Sequence, residues 1–242
     1  MICVAFTPLK GSPFRKQFRR EMAKLNLFVR RGKLKKKRVE DTINPIPPVT
    51  LIDPFESEWE VTTRELCAIC SVIRVIEPKH IFEFGTFDGR TTLNMEYNAT
   101  TDCKLTTIDL PAEEQCLPNG IVAGKRINEF RNPQRIEQLY GNTLTYDFTR
   151  FRNSIDFIFI DAGHNYECVR NDSDNAFDML VEGKGVIIWH DYSLFPGVTK
   201  AVDEFAEKYS NHGRFFLFSG TTLACFWAKS AKKVEEMSSA FE

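Results

Sequence analysis

The 242-residue sequence lacks any apolar run long enough to cross a membrane. It also lacks a secretory signal, because the apolar residues 2–6 are too few and basic residues follow them instead of preceding them. No internal repeat is visible, and low-complexity sequence is limited to one short basic run. With 43% hydrophobic residues, the chain can bury the core of one sizeable domain with an appendage. We therefore expect a cytoplasmic globular protein.

The cysteines do not form the pattern of a disulfide framework. The seven cysteines are odd in number, scattered, and mostly placed inside apolar segments, which is typical of reduced thiols in a cytoplasmic protein. Cys67 and Cys70 form a C-x-x-C, but the sequence has no second pair. Because Leu66, Ile69 and Ile73 recur at helical spacing around them, a core helix is favoured over a redox or zinc site.

The net charge of -1 conceals a strong asymmetry. Residues 1–38 carry 13 Lys and Arg but only one acid, Glu21, which leaves 19 basic and 32 acidic residues in the rest of the chain. Apolar residues at spacings of three and four predict a basic amphipathic helix over about residues 14–29. This arm could meet phosphates, acidic lipid or a partner subunit, although packing on its own domain is the favoured alternative.

Composition divides the chain into three parts. The basic run at residues 33–38 is predicted to be a loop, and a proline-rich linker follows at residues 44–59. We assign residues 1–43 to a basic, partly helical N-terminal arm and residues 60–242 to the main domain.

In the main domain, apolar segments typical of strands alternate with segments typical of helices. The predicted parallel strands lie near residues 80–85, 104–109, 135–140, 155–160 and 185–190. Two further apolar segments, 214–220 and 221–229, are joined too tightly for a crossover, so they must form an antiparallel hairpin. The sequence therefore predicts an α/β fold with a mainly parallel seven-stranded sheet, helices on both faces and a C-terminal antiparallel hairpin.

Two glycines follow the first of these strands in the pattern G-x-x-x-G. Gly85 and Gly89 allow a ligand to approach the backbone closely at the start of the next helix. The chain has neither the G-x-G-x-x-G of dinucleotide-binding folds nor a following G-K-[ST], which disfavours both a dinucleotide and a triphosphate. Glu83 stands just before this turn. Asp109 ends the second strand, where a carboxylate can accept both ribose hydroxyls of NAD or of S-adenosylmethionine.

Three segments resemble the motifs of class I methyltransferases that use S-adenosylmethionine. The segment E-F-G-T-F-D-G-R at residues 83–90 resembles their first motif, and T-I-D-L at residues 107–110 resembles their acidic second motif. The turn Gly141-Asn142-Thr143 matches the G-[DN]-[AST] turn that in this family faces the adenine edge. The resemblance covers about residues 60–229 and implies the Rossmann-like class I methyltransferase fold.

This resemblance also implies a set of donor-binding residues. Glu83 should orient the methionine amino end through the loop backbone, and Asp109 should hold the ribose. Alternatively, Glu83 is only a satisfied carboxylate at the end of a strand. The residues implied to bind S-adenosylmethionine are Glu83, Gly85, Thr86, Asp88, Gly89, Asp109, Asn142, Thr143 and Asp161.

The ends of the next two strands offer candidate metal ligands. Asp161 ends one strand, and His190 and Asp191 end its predicted neighbour. Because adjacent parallel strands lie about 4.8 Å apart, the three side chains can converge on one divalent ion beside the donor. Such an ion would lower the pKa of an acceptor hydroxyl and hold its oxygen in line.

A histidine lies in the same turn as Asp161. His164 has a reference pKa of about 6.5, which suits a general base near neutrality, so we assign catalytic roles to His164 and Asp161. Other interpretations stay open: Asp161 and Asp191 could merely cap the helices that follow them, and His164 could hydrogen-bond only within its turn.

The pattern D-x-x-H-x-Y at residues 161–166, followed by His190-Asp191 on the next strand, resembles metal-dependent small-molecule O-methyltransferases. The similarity is greatest to enzymes that act on macrolide sugars and to relatives of the cephalosporin-hydroxylase type. It implies that Asp161 and an acidic pair bind magnesium and that His164 takes the acceptor proton. The sequence departs at His190, where an acidic ligand is common. Since magnesium prefers oxygen, this change weakens the magnesium assignment or removes His190 from the ligands. Magnesium is still the expected divalent ion, with manganese as the alternative.

The sequence thus predicts an S-adenosylmethionine-dependent, divalent-metal-assisted O-methyltransferase acting on a hydroxylated small molecule or glycosyl group. One alternative is a methyltransferase that the basic arm directs to RNA or a glycolipid, although no aromatic RNA-binding motif is evident. Another is a catalytically inactive methyltransferase-like interaction protein. A homodimer is expected because related enzymes often assemble and the arm has an apolar stripe.

Overall fold

A computed structural model of the chain describes residues 32–54, 60–111, 114, 122–130, 135–181 and 184–229. The helix predicted at residues 14–29 lies outside these ranges. Within them, no helix is long and apolar enough to cross a membrane.

The described residues form one eight-stranded sheet. Its strands are β1 (Lys36–Lys37), β2 (His80–Phe84), β3 (Lys104–Asp109), β4 (Ile136–Tyr140), β5 (Phe157–Ile160), β6 (Val186–Trp189), β7 (Gly213–Phe218) and β8 (Ala224–Ala228). Their spatial order is β1-β7-β8-β6-β5-β2-β3-β4. All neighbouring pairs are parallel except those of β8, which runs antiparallel to both β6 and β7. The mainly parallel sheet and its C-terminal antiparallel hairpin are therefore confirmed.

The register of the central strands brings their carboxyl ends to one edge of the sheet. Phe84 of β2 lies opposite Ile108 of β3 and Ile160 of β5. Ile160 in turn lies opposite Trp189 of β6. The polar residues that directly follow these strands therefore all lie at the carboxyl edge of the sheet, which is where open α/β sheets bind their ligands.

The strand β1 adds one member to the predicted seven. Lys36 pairs with Leu217 of β7, and the backbone N–H groups of Leu217 and Ser219 donate to the carbonyls of Lys35 and Lys37. The loop predicted at residues 33–38 is therefore wrong at its centre. Pairing at a sheet edge uses backbone groups, and lysine side chains are common on such an edge, so the charge of this run does not prevent it from forming a strand.

Five α-helices lie in the described part of the chain. They are α1 (Thr63–Ile76), α2 (Arg90–Asn98), α3 (Lys125–Phe130), α4 (Tyr166–Met179) and α5 (Pro196–Lys208). Helix α1 begins with a capping box, in which Thr62 Oγ1 accepts from Glu65 N and Glu65 Oε2 accepts from Thr62 N. Cys70 is fully buried within this helix and both Cys67 and Cys70 are free thiols, as expected of a core helix.

The proline-rich segment before α1 is fastened to α2 by amide side chains. Asn94 donates to the carbonyl of Ile52 and accepts from its N–H, at 2.9 and 2.8 Å. Asn98 makes the same pair of bonds with Thr50, at 2.8 and 3.1 Å. These four bonds satisfy the backbone N–H and C=O groups of Thr50 and Ile52, so the extended segment is held against α2.

Candidate active site

The glycine turn and the candidate metal ligands are contiguous. Gly85 directly follows β2, and Asp161 directly follows the adjacent strand β5, where its N–H donates to the carbonyl of Phe84 at 2.8 Å. A Cβ added to Gly85, whose φ is +92°, would lie 2.3 Å from the carbonyl oxygen of Asp161. The predicted turn and the predicted cluster are therefore in direct contact through their backbones, with no room for a side chain between them.

The carboxylate of Asp109 holds the backbone of the turn. Its Oδ2 accepts from the N–H groups of Thr86 and Phe87 at 3.0 and 2.8 Å, and its Oδ1 accepts from Leu110 N at 2.7 Å. Burial raises the pKa of Asp109, and the three backbone hydrogen bonds act against that shift. Asp109 thus fixes the shape of the turn. Its Oδ1, which accepts one hydrogen bond, retains acceptor capacity for a further donor.

Glu83 is fully buried behind the turn. One of its oxygens accepts from Thr92 Oγ1 of α2 at 2.5 Å and from Thr107 Oγ1 of β3 at 2.7 Å. The other, Oε1, has no hydrogen-bond partner among the described residues. Burial raises the pKa of Glu83 to about 8, so its carboxyl group carries a proton at neutral pH. Both bonds run to neighbouring side chains, whereas the resemblance implies an action through the loop backbone.

The other predicted residues of the turn have structural partners. Thr86 Oγ1 lies 2.7 Å from Thr107 Oγ1, and Gly89, at φ +93°, precedes the first residue of α2. Asp88 accepts from Arg90 N at 3.0 Å through Oδ1 and from Arg126 Nε at 2.6 Å through Oδ2. Asp88 therefore anchors the start of α2.

Arg126 links the turn to the segment that precedes α1. Besides Asp88, its guanidinium pairs with Asp53 and, at 2.7 Å, with Glu60 Oε1. Three acids from two different segments thus meet on one cation, which is 19% exposed. A guanidinium suits this position because its planar fork donates in several directions at once. Sequence reasoning did not identify Arg126, since nothing in its neighbourhood resembles a motif.

The turn predicted to face an adenine lies beside Asp109. Gly141 N donates to the Asp109 carbonyl at 2.9 Å, which places the turn after β4 next to the turn after β3. Asn142 is exposed, and its Oδ1 accepts from Leu144 N at 3.0 Å. Thr143 is half-buried and its carbonyl accepts from Asn171 of α4 at 2.8 Å. The residues assigned to the donor therefore lie at the carboxyl ends of four adjacent strands, β5, β2, β3 and β4.

Asp161, His190 and Asp191 form a compact cluster. One ligand atom from each side chain lies within 4.8 Å of the others, and this is the one such group among the described residues. His190 Nδ1 lies 3.0 Å from Asp161 Oδ1 and 3.5 Å from Asp191 Oδ1. Burial would lower the pKa of His190, but the two carboxylates outweigh it and raise that pKa well above its ordinary value. The predicted convergence of the two strand ends is what the structure has.

His164 lies on the outer side of this cluster. Its Nε2 is 3.0 Å from Asp191 Oδ2 and 3.8 Å from Asp161 Oδ1, while its ring stacks on Phe195 with centroids 4.5 Å apart. Burial would lower the pKa of His164, but the bonds to the two carboxylates raise it to about 9. The side chain is 40% exposed, so a molecule arriving at the edge of the sheet can reach it.

Glu65 approaches the cluster from the opposite side. Its Oε2 lies 3.3 Å from Nε2 of His190. Burial alone would raise the pKa of Glu65, but hydrogen bonds from His190, Thr222 and Thr62 hold it well below its usual range. The pattern Thr62-x-x-Glu65 announces a helix start in the sequence. No sequence signal connects Glu65 to a histidine 125 positions away.

The capping alternatives for the two aspartates are wrong. Helix α4 is capped by Asn165, whose Oδ1 accepts from Cys168 N at 2.9 Å. Helix α5 follows Phe195 and has no side-chain cap. The carboxylates of Asp161 and Asp191 face the histidines instead.

A wide cavity lies at the other edge of the sheet. It has a volume of about 460 Å³ and is lined by residues at the amino ends of β2, β3 and β4, including His80, Lys104 and Arg135. A small cavity of about 10 Å³ lies beside Asp161, His164 and His190. The first cavity is the larger of the two, but the titratable cluster and the glycine turn lie at the second, which makes the carboxyl edge the candidate site.

Comparison with known proteins shows a similarity over part of the chain and a shared fold. Residues 82–192 match a family model described as a methyltransferase domain. That segment includes the glycine turn, Asp109 and the whole of the cluster. The search of curated proteins found no match.

Solved structures share the fold at low sequence identity. The O-methyltransferase TomG from Streptomyces achromogenes, in complex with S-adenosylmethionine, is 18% identical with a TM-score of 0.51, over 70% of this chain and 81% of TomG. The methyltransferase PaMTH1 from Podospora anserina, bound to S-adenosylhomocysteine, is 14% identical with a TM-score of 0.55, over 93% and 100%. An O-methyltransferase from Bacillus cereus is 14% identical with a TM-score of 0.50, over 90% and 92%. The class I methyltransferase fold is therefore confirmed.

Proposed function

We propose that this protein, an S-adenosylmethionine-dependent methyltransferase, transfers its methyl group to a hydroxyl of a small molecule at a site assisted by a divalent cation. The observation that carries the proposal is the contact between the glycine turn and Asp161. It puts the loop that would hold the donor directly against the carboxylate and imidazole groups that would act on the acceptor.

The donor would lie along the turns after β2, β3 and β4. Binding of S-adenosylmethionine by TomG and of S-adenosylhomocysteine by PaMTH1 supports this position, since both share the fold. The backbone of Gly85 and Thr86 would approach the methionine end, and Asp109 would accept from the ribose. Asn142 and Thr143 would border the adenine. Glu83 and Asp88 would act indirectly, by holding the turn and the start of α2 in place.

The groups at the site and the similar structures support a hydroxyl acceptor. TomG is an O-methyltransferase of tomaymycin synthesis, and NovP is also an O-methyltransferase. A hydroxyl needs its proton weakened before its oxygen can attack a sulfonium, so an O-methyltransferase needs either a base or a cation beside the acceptor. Candidates for both stand beside the donor turn.

The residues of the cluster fit a divalent cation. Two carboxylates and one imidazole converge from two strand ends, with the ligand atoms of all three within 4.8 Å. A histidine flanked by carboxylates is a common metal-site arrangement, and the set of two oxygens and one nitrogen leaves further positions open for substrate. When bound, the cation would compensate the charge of Asp161 and Asp191 and acidify a hydroxyl beside it.

His164 would handle the acceptor proton. Asp191 orients its imidazole at 3.0 Å and Phe195 supports the plane of the ring. With its pKa raised to about 9 by the two carboxylates, His164 holds a proton at neutral pH. It accepts one only when the charge of those carboxylates is compensated. Transfer itself is an in-line displacement, so the main task of the protein is to align the acceptor oxygen with the methyl carbon and to exclude water.

Calorimetric titration with S-adenosylhomocysteine tests the donor part of this proposal. We expect the wild type to bind and Asp109→Ala to bind much more weakly, because the variant loses both the ribose acceptor and the bonds that shape the turn. Asp102→Ala is the matched control, since Asp102 is an exposed acid at the other edge of the sheet whose partner is Lys79. Absence of binding by the wild type would favour a methyltransferase-like interaction protein.

A further inference from the structure

Glu65 and the candidate cation site lie on opposite sides of one imidazole. His190 Nε2 is 3.3 Å from Glu65 Oε2, while Nδ1 of the same ring faces Asp161 at 3.0 Å and Asp191 at 3.5 Å. Both His190 and Glu65 are buried, the latter 3% exposed. The ring is therefore held between one carboxylate behind it and two in front of it.

The position of the Glu65 carboxylate is fixed by two other elements. Its Oε2 accepts from Thr62 N and Oγ1 at 2.9 and 2.7 Å, at the start of α1. Its Oε1 accepts from Thr222 N and Oγ1 at 2.8 and 2.9 Å, in the turn between β7 and β8. With both oxygens engaged from two sides, Glu65 cannot rotate to become a ligand itself, but it can hold the ring of His190.

We propose that Glu65 is a positioning residue that commits His190 to bind a cation through Nδ1, and that the site consequently takes a divalent transition metal such as Mn²⁺ in preference to Mg²⁺. This inference rests on the proposed function. Because Nε2–H donates to Glu65, Nδ1 is the nitrogen that would give up its proton and bind a cation between the two aspartates, and such outer carboxylates raise the basicity of a ligating histidine. Mg²⁺ prefers oxygen ligands, whereas the first-row transition metals accept imidazole readily.

A purely structural role for Glu65 predicts a different result. As part of a capping box, Glu65 would contribute to stability through Thr62 and Thr222 and leave metal affinity unchanged. Glu137→Gln is the matched control, because it makes the same change of side chain at an exposed glutamate whose partner is Arg150, away from His190. It should change the free energy of unfolding by less than about 1 kcal/mol.

The experiment measures Mn²⁺ and Mg²⁺ binding to the full-length, chelator-treated protein by calorimetry, for the wild type, Glu65→Gln and Glu137→Gln. We expect the wild type to bind Mn²⁺ more tightly than Mg²⁺. Glu65→Gln should bind Mn²⁺ about 10- to 100-fold more weakly, and Glu137→Gln should match the wild type. Electron spin echo modulation of the Mn²⁺ complex should show nitrogen from one imidazole. This measurement needs only the wild type and so does not depend on whether a variant folds.

The outcomes separate this inference from the proposed function. Mn²⁺ binding without imidazole nitrogen, or with unchanged affinity in Glu65→Gln, overturns the role of Glu65 and leaves the cation site in place. Mg²⁺ binding tighter than Mn²⁺ overturns the metal preference. No binding of either ion refutes the cation site and this inference together, while the titration with S-adenosylhomocysteine still tests the donor site independently.

Discussion

Replacing Gly85 with alanine should damage both the fold and donor binding, because the glycine turn touches Asp161 through backbone atoms alone. The added Cβ would lie 2.3 Å from the Asp161 carbonyl oxygen and 2.7 Å from its carbon. Neither atom belongs to a flexible side chain, so the strands β2 and β5 or the turn itself would have to shift.

The size of the effect follows from two contributions. A left-handed φ of +92° costs a non-glycine residue about 1–2 kcal/mol. Forcing a methyl group into a filled contact costs about 1–3 kcal/mol more. We therefore expect Gly85→Ala to lower the free energy of unfolding by about 2–5 kcal/mol, a large fraction of the 5–15 kcal/mol of an ordinary domain, so most of the variant should still fold.

Gly220→Ala separates the clash from the backbone strain. Gly220 also has a positive φ, +82°, but its added Cβ would meet the far end of the Arg64 side chain, which can move away. This control should cost only the strain, about 1–2 kcal/mol, and should keep its affinity for S-adenosylhomocysteine. Urea unfolding and calorimetry measure both quantities. Equal stability and equal affinity of the two variants would refute the claim that the backbone of Gly85 packs directly against that of Asp161.

Two further predictions concern the charges around the site. Arg126→Gln leaves three acids without their shared cation, so we expect a loss of about 2–4 kcal/mol in unfolding free energy and weaker binding of S-adenosylhomocysteine. The control Arg150→Gln breaks the exposed ion pair with Glu137 and should cost less than about 1 kcal/mol. Equal losses of unfolding free energy in the two variants would contradict the role of Arg126 in joining the three acids. In the metal-free protein, the pKa of His164 is raised from 6.5 to about 9, so its ion pairs should stabilise the fold fully below pH 6.5 and lose that contribution as the pH rises through about 9. Because His164 is 40% exposed, this contribution should be no more than about 1 kcal/mol. Unfolding measurements on the wild type and His164→Gln test it: the difference in unfolding free energy should shrink between pH 6 and pH 10, and a constant difference would contradict the prediction.

The sequence was sufficient to predict the centre of the sheet because the strands β2, β5 and β6 are short, mostly apolar runs that are almost entirely buried, which leaves a clear pattern. The edge of the sheet at which Gly85, Asp109, Asp161 and His190 meet followed from the parallel arrangement alone. The convergence of Asp161 with His190 and Asp191 needed only the assumption that their strands are neighbours, and β5 does pair with β6.

What the sequence did not reveal depends on contacts between distant segments. Glu65 is visible as part of a capping box, but its approach to His190 is set by how α1 packs against the end of β6. Arg126 forms ion pairs with acidic residues up to 73 positions away in the sequence, and no motif marks it. The pairing of β1 depends on the open edge of β7, which only the closed hairpin creates. In each case the local pattern is ordinary and the tertiary partner carries the information.

A crystal structure of the protein with S-adenosylhomocysteine and Mn²⁺ tests the central claim most directly. We expect S-adenosylhomocysteine to lie along the turn from Gly85 to Gly89, with its ribose on Asp109. We expect the ion to be bound in the same site by Asp161, His190 and Asp191. S-adenosylhomocysteine at any other edge of the sheet, or an ion bound away from those three side chains, would contradict it.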